Sequence, residues 1–317
     1  MILRALALVL SLATATSAVA QDRLKVAIGQ IDAWANQIPT LGMQAGIFQK
    51  HGIELENFGT QGAGETLQAV ISGSADIGIG IGTSGAMRAF VRGAPIRVIA
   101  AAYAGTGDQY WYVKPDSPLK SLADATDKHT MSYSTNGATS HAIALAFGKQ
   151  LGVKAKPIAT GGPPATYTMT MSGQVDIGWG VMPFGLKEYQ EGKFRIIARG
   201  SDVPSMRNQT MRVQVVNLNA LKERKDVMLR FMRAYRETLD WMYANPQAVK
   251  FYAEKMKMSE DLIVLQRDQF NPKDAMLPDR LSDLDLVMED AVALKFLDNP
   301  LTKVELTELF QIPPAGS

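Results

Sequence analysis

Ile71-Ser72-Gly73-Ser74-Ala75-Asp76-Ile77-Gly78-Ile79-Gly80 is echoed 100 residues later by Met171-Ser172-Gly173-Gln174-Val175-Asp176-Ile177-Gly178-Trp179-Gly180, with six identities in the pattern Ser-Gly-x-x-Asp-Ile-Gly-x-Gly. Each stretch leaves a helical segment, turns at Gly73 or Gly173 and enters a short strand. A period well beyond the ~50 residues of solenoid and propeller repeats points to two lobes of related topology.

The sequence on either side alternates short β-branched runs with helical stretches, as an α/β fold requires. Strands are expected at Leu24 to Ile28, Ile53 to Phe58, Ile77 to Ile81, Ile96 to Tyr103 and Tyr110 to Val113. Helices fall between them at Ile38 to Lys50, Gly64 to Ser72 and Thr83 to Val91. The middle region repeats the scheme, with strands at His129 to Tyr133, Val175 to Ile177, Phe194 to Ala198 and Met211 to Val216. Ile143, Phe147 and Leu151 share a helical face closed by Gly152, and Pro163 or Pro164 fits the first turn of the next helix. Beyond it, Leu221, Met228, Phe231, Met232, Tyr235, Leu239 and Met242 make a helical stripe, Asn245-Pro246 starts another helix, and no clear strand follows.

The composition fits two lobes: 317 residues, 46% hydrophobic and 20% charged. With 33 basic against 31 acidic residues there is no general field for nucleic acid. The absence of cysteine excludes disulfides, thiolate metal sites, iron–sulfur clusters and cysteine nucleophiles. Arg4 is the only charge before Asp22, and an apolar run from Ala5 to Leu12 leads to Ala18-Val19-Ala20. That is the build of a cleaved secretory signal peptide over residues 1–20, with an apolar core well short of the ~20 residues a membrane span needs. Without cysteine no lipid anchor can follow it.

Three Gly-rich or small-polar turns precede helices: Gln61-Gly62-Ala63-Gly64, Gly82-Thr83-Ser84-Gly85 and Asn136-Gly137-Ala138-Thr139-Ser140. Helix N-termini present unpaired N–H groups, and ligands of open α/β sheets bind at strand ends. Gln61, Gly62, Gly82, Thr83, Ser84, Asn136, Thr139 and Ser140 are therefore candidate ligand contacts, Thr83, Ser84, Thr139 and Ser140 as hydroxyl donors and His141 as a polar one. Trp34, Tyr110 and Trp179, near strand ends, are candidate pocket walls. Tyr110 and Trp111 alternate faces, so one of them points inward. Gly80-Ile81-Gly82-Thr83-Ser84-Gly85 also matches G-x-G-x-x-G, but it lies on a third strand and lacks the acidic residue a dinucleotide site needs. No hydrolase elbow, P-loop or zinc-protease motif occurs, so no catalysis, cofactor or metal is expected.

Leu41-Gly42-Met43-Gln44-Ala45-Gly46-Ile47-Phe48-Gln49-Lys50-His51-Gly52-Ile53, the Ser-Gly-x-x-Asp-Ile-Gly segment, Ser117-Pro118-Leu119-Lys120-Ser121-Leu122-Ala123-Asp124, Gly137-Ala138-Thr139-Ser140-His141 and Pro183-Phe184 together resemble periplasmic binding proteins of ABC importers, the nitrate/sulfonate/taurine group. The resemblance spans nearly the whole chain after residue 20. It implies a type II two-lobed binding protein, each lobe a mainly parallel sheet flanked by helices, closing on a ligand about two hinge crossovers. With crossovers near Val113 and Val216, lobe 1 comprises residues 21–113 and 217–317 and lobe 2 residues 114–216. Expected partners are a small anionic organic ligand, of sulfonate or aromatic carboxylate type, and an inner-membrane permease. The protein is expected as a periplasmic monomer with no membrane anchor. Alternatives are a thiamine-precursor pyrimidine as ligand or delivery to a sensor; a dinucleotide enzyme ranks below both. Ala138 stands where the group carries a serine, and Gly178-Trp179-Gly180-Val181-Met182 lacks the group's acidic residue before Pro-Phe.

Overall fold

The computed structural model describes residues 21–315; the expected signal peptide lies outside them. Ten strands form three sheets. β1 (Asp22–Gly29), β2 (Ile53–Thr60), β3 (Ile77–Gly82), β4 (Ile96–Ala104) and β10 (Thr210–Asn217) make a five-stranded sheet in the order β2-β1-β3-β10-β4. β5 (Gln109–Val113), β8 (Gly178–Val181) and β9 (Arg195–Arg199) make a second, in the order β8-β5-β9, and β6 (Thr130–Tyr133) pairs with β7 (Lys156–Ala159). A bridge from Met131 to Ile177 and the hydrogen bond from Ser132 N to Ile177 O (2.9 Å) carry the β6–β7 pair onto the residue before β8. The chain thus leaves the first sheet between β4 and β5 and returns between β9 and β10.

Sheet membership differs from the expected division. β5, assigned by sequence to lobe 1, bonds only to β8 and β9, and β10, assigned to lobe 2, bonds to β3 and β4. Both strands directly follow a crossing, and both run antiparallel to their neighbours because they enter from the opposite lobe. Parallel pairing is found in β1–β2, β1–β3 and β6–β7 and continues from β6 through the Met131–Ile177 bridge, so each lobe combines parallel and antiparallel neighbours.

The echo is structural. The helices Ala63–Ile71 and Pro163–Met171 end in turns where Gly73 and Gly173 adopt φ of +77° and +80°, a region open to glycine without strain. Ser72 and Ser172 each bond back to the carbonyl three residues earlier, at 3.1 Å in both. The equivalence reaches further back than the sequence echo: Thr60–Thr66 and Thr160–Thr166 form hydroxyl pairs at 2.7 and 2.6 Å, and Thr66 and Thr166 donate to Gly62 O and Gly162 O.

The long helix Lys225–Ala244 buries Phe231, Met232, Tyr235 and Leu239 in a core shared with Leu24, Val26, Ile28 and Phe48. The C-terminal region does not return to the first lobe alone. Phe270, at the end of the helix Glu260–Phe270, joins Tyr110, Tyr112 and Phe194 in the second-lobe core. Asp290, on the helix Leu284–Ala293, accepts hydrogen bonds from Ser205 (2.7 Å), Gln209 (2.6 Å) and Gln150 of the helix Thr139–Leu151 (3.3 Å). Phe310 and Gln311 pair with Val98, covering part of the outer edge of β4.

Candidate functional site

The three turns converge where the lobes meet. Gly64 N donates to Thr135 Oγ1 (2.9 Å), and Gly162 N donates to Gln61 Oε1 (3.4 Å). A Cβ on Gly62 would lie 2.8 Å from Thr135 Oγ1, one on Gly82 2.7 Å from Gly137 O, and one on Gly85 2.3 Å from the same oxygen. Gly82 and Gly85 of the G-x-G-x-x-G motif therefore admit the opposite lobe's backbone, while Gly80 faces Asn36: the space a pyrophosphate would need is filled by residues 137–139.

Beneath this seam lies a narrow cavity of about 20 Å³, lined by Gln30, Asn36, Gly80 and Arg212 from the first-sheet side and by Gln109, Ser134, Ser140 and Trp179 from the other. A second chamber of about 190 Å³ shares Gln30, Ala33 and Val181 with it and is otherwise edged by Ile31, Asp32, Gln61, Pro163, Pro164, Pro183 and Phe184. The pair reads as one cleft, polar within and largely apolar outside, which is the usual division between orientation and burial in a ligand site.

The guanidinium of Arg212 dominates the inner chamber. It is 5% exposed and lies 4.2 Å from the Tyr103 ring centroid. Its Nη2 donates to both carboxylate oxygens of Asp108, at 2.7 Å each, while its Nε is buried without a partner. Asp108 stands on the first crossing and Arg212 just past the second, so the pair ties the two hinge strands together. Arg212 thus lines the cavity as half of an ion pair. Beside it on the cavity wall, Trp179 Nε1 donates to Gln109 Oε1 (3.0 Å), and Asn36 Nδ2 donates to Gly29 O (2.6 Å).

Of the sequence candidates, Trp179, Thr139 and Ser140 line the inner chamber and Gln61 the outer one. The hydroxyls are already engaged. Thr83 Oγ1 donates to Thr210 O (2.6 Å) and Thr139 Oγ1 to Met211 O (3.1 Å), so both pin helix starts to β10. Ser140 Oγ accepts from Ser134 N (3.0 Å) and pairs with Ser134 Oγ (2.9 Å). Ser84, with Gly82, edges a closed crevice beside the seam. Gly62 serves close approach, and Asn136 accepts from Tyr133 Oη (2.8 Å) at the exposed outer rim.

Trp34, Tyr110 and His141 are not cleft residues. Trp34 is fully buried, packed edge-on against Tyr252 (5.0 Å) and Tyr243 (6.0 Å), with its indole N–H donating to Tyr243 Oη (3.1 Å). Tyr110 stacks on Phe194 (5.9 Å) and donates to Phe184 O (2.5 Å), whereas Trp111 packs on Phe147 from the other face of β5 (4.9 Å). Neither of these two neighbours lines either chamber. His141 stacks on Tyr133 at 4.3 Å, and burial, helped by the Arg88 charge, lowers its pKa to about 4. A burial-driven fall of this kind marks a neutral packing imidazole.

Sequence reasoning missed Arg212, Asp108, Gln109, Asn36 and Gln30. The available signal was an arginine inside the strand Met211–Val216, where Gln214 is the one other polar residue. A charged residue at such a position is buried only with a partner. Among the described residues no group of three or more histidines, aspartates or glutamates could hold a metal, and no helix is long and apolar enough to cross a membrane.

Two α/β lobes, two crossings and a cleft at their seam define the type II periplasmic-binding-protein fold. The NMT1/THI5-like family model matches residues 40–249, and the chain belongs to that family. Among solved structures, it resembles the alkanesulfonate-binding protein SsuA of Xanthomonas axonopodis pv. citri bound to MOPS, with 15% identity, 93% of this chain and 100% of the other covered, and a TM-score of 0.74. The periplasmic nitrate-binding protein NrtA of Synechocystis PCC 6803 matches at 13% identity, 92% and 86% coverage and a TM-score of 0.68. The desulfurization enzyme DSZB matches at 16% identity, 92% and 97% coverage and a TM-score of 0.61. No curated protein matches the sequence.

Proposed function

We propose that the chain is a solute-binding protein that closes on a small organic ligand in the periplasm and presents it to an ABC import permease. The observation that carries this reading is the cleft, whose inner wall is supplied by both lobes and whose polar groups face one another across the seam. The SsuA and NrtA likenesses support it. The outer chamber, edged by prolines and Phe184, takes the apolar body of the ligand. The lobe boundaries follow the sheets: lobe 1 ends near Ala104 and resumes at Thr210, and lobe 2 lies between them, with 105–108 and 200–209 as the hinge. The protein acts as a monomer after removal of residues 1–20.

Ligand that binds only the folded, closed protein raises its melting temperature by mass action. A thermal-shift screen over sulfonates, nitrate, aromatic carboxylates, amides and pyrimidines, followed by calorimetry, tests the reading. A flat profile across all of them overturns it. The DSZB likeness supports a second reading, an enzyme. Chromatography of the ligand recovered after prolonged incubation separates the two: a binding protein returns it unchanged.

A further inference from the structure

We infer that the inner chamber selects an uncharged head group with a hydrogen-bond donor beside an acceptor, an amide or sulfonamide, over the matching carboxylate or sulfonate. The inference rests on the cleft being the solute site, and it departs from the expectation of an anion.

The first argument is charge. Arg212 is the only charged residue lining the inner chamber, and Asp108, 1% exposed, already neutralises it through two contacts of 2.7 Å. An anionic head on the free side of the guanidinium would leave two negative groups sharing one positive group, out of water. Uncompensated buried charge is among the costliest of arrangements. The outer chamber offers no relief, since its one charged lining residue is Asp32. An uncharged head leaves the ion pair balanced.

The second argument is the pattern of donors and acceptors. Three amides face the inner chamber, and the orientation of each is fixed by a partner with only one possible role. Asn36 and Gln30 spend their amide nitrogens on the carbonyls of Gly29 (2.6 Å) and Gln61 (3.0 Å), leaving Asn36 Oδ1 and Gln30 Oε1 as acceptors. Gln109 spends its oxygen on the Trp179 indole N–H (3.0 Å), leaving its NH₂ as a donor on the chamber wall. A carboxylate or sulfonate, with acceptors only, would satisfy one half of this set and leave the other facing oxygen lone pairs. An amide answers both halves.

Calorimetric titration of the full-length mature protein with benzamide against benzoate, and benzenesulfonamide against benzenesulfonate, tests this at neutral pH. The uncharged member of each pair is expected to bind about tenfold tighter or more, about 1.4 kcal/mol. Tighter binding of the acids overturns the inference and leaves solute binding intact, while binding of neither class overturns both. Asp108→Asn gives the chamber a net positive charge and should shift the ratio toward the acids by about tenfold. Gln30→Met, at a half-buried loop position that should keep the fold, removes an acceptor and should lower the preference for amides by about threefold. A ratio unchanged in both variants overturns the inference.

Discussion

Asp76 and Asp176, 100 residues apart, make the same contact: Oδ2 of each accepts a hydrogen bond of 2.8 Å from a backbone N–H of a neighbouring strand, Lys25 in one lobe and Thr130 in the other. In each lobe the carboxylate joins the turn after the repeat helix to a strand, at the fourth residue of β1 in one and the first of β6 in the other. Asp176 also accepts from Thr130 Oγ1 (2.9 Å), so the second copy is the more tightly held. Replacing either aspartate with alanine should cost about 1–2 kcal/mol, the lower part of the range for charged acceptors because both are partly solvated. The two losses should add, because the sites share no partner. Urea unfolding of the single and double variants measures both, and a double variant no less stable than the worse single one would refute the equivalence.

Thr83 and Thr139 invite a different experiment from the one their sequence context suggests. Both side chains are spent on adjacent carbonyls of β10, Thr210 O and Met211 O. Thr139→Val should therefore lower stability by about 1 kcal/mol while changing ligand affinity less than about threefold. Gln109→Leu, which removes a free donor from the chamber, should lower affinity more than about threefold, and it also lowers stability because the buried Trp179 indole N–H loses its acceptor. Paired unfolding and calorimetric measurements distinguish a helix anchor from a ligand contact.

What was legible in the sequence divides along physical lines. The repeat was visible at residues 71–80 because a left-handed glycine and a strand-capping aspartate tolerate few substitutes. It continues at Thr60, Gly62 and Thr66, which match Thr160, Gly162 and Thr166 at the same spacing, but unlike neighbours between them mask the match. Apolar pattern placed the strands but not their partners, so the sheets that β5 and β10 join were not legible: a strand next to a crossing looks like any other buried strand. Trp34 reads as a wall from its place after β1, yet Tyr243 and Tyr252, which enclose it, lie more than 200 residues on. Arg212 and Asp108 are 104 residues apart, and only the fold reveals that they neutralise each other.

Gly85 and Gly137 set how far the cleft can shut. A Cβ at residue 85 would fall 2.3 Å from Gly137 O, a backbone atom that cannot swing aside as a side chain would. In Gly85→Ala the lobes can relieve the clash by opening, so the fold itself should survive. Unfolding stability without ligand should change by less than about 1 kcal/mol, since alanine is the better helix former. Affinity should fall about tenfold or more, because closure carries the contacts from both lobes. Small-angle scattering of the saturated variant should show a larger radius of gyration than the wild type. Equal radii would mean that the seam has slack.

His141 gives the protein a defined acid sensitivity. Its pKa in the folded state is lowered to about 4, first by burial and then by the Arg88 charge, from 6.5 in the open chain. Between these values the unfolded chain takes up a proton that the folded chain refuses, so stability rises with pH across the window. The contribution is complete above pH 6.5 and is lost progressively as pH falls toward about 4. His141→Gln removes the titrating group and keeps an acceptor for Gly137 N, which now bonds Nδ1 at 3.3 Å. The variant should be less stable than the wild type at neutral pH through loss of the Tyr133 stack, with a shallower slope of stability against pH inside that window. Melting curves in matched buffers on both sides of the window test the sign: parallel slopes would show that other groups, above all the paired carboxylates, govern the acid limb.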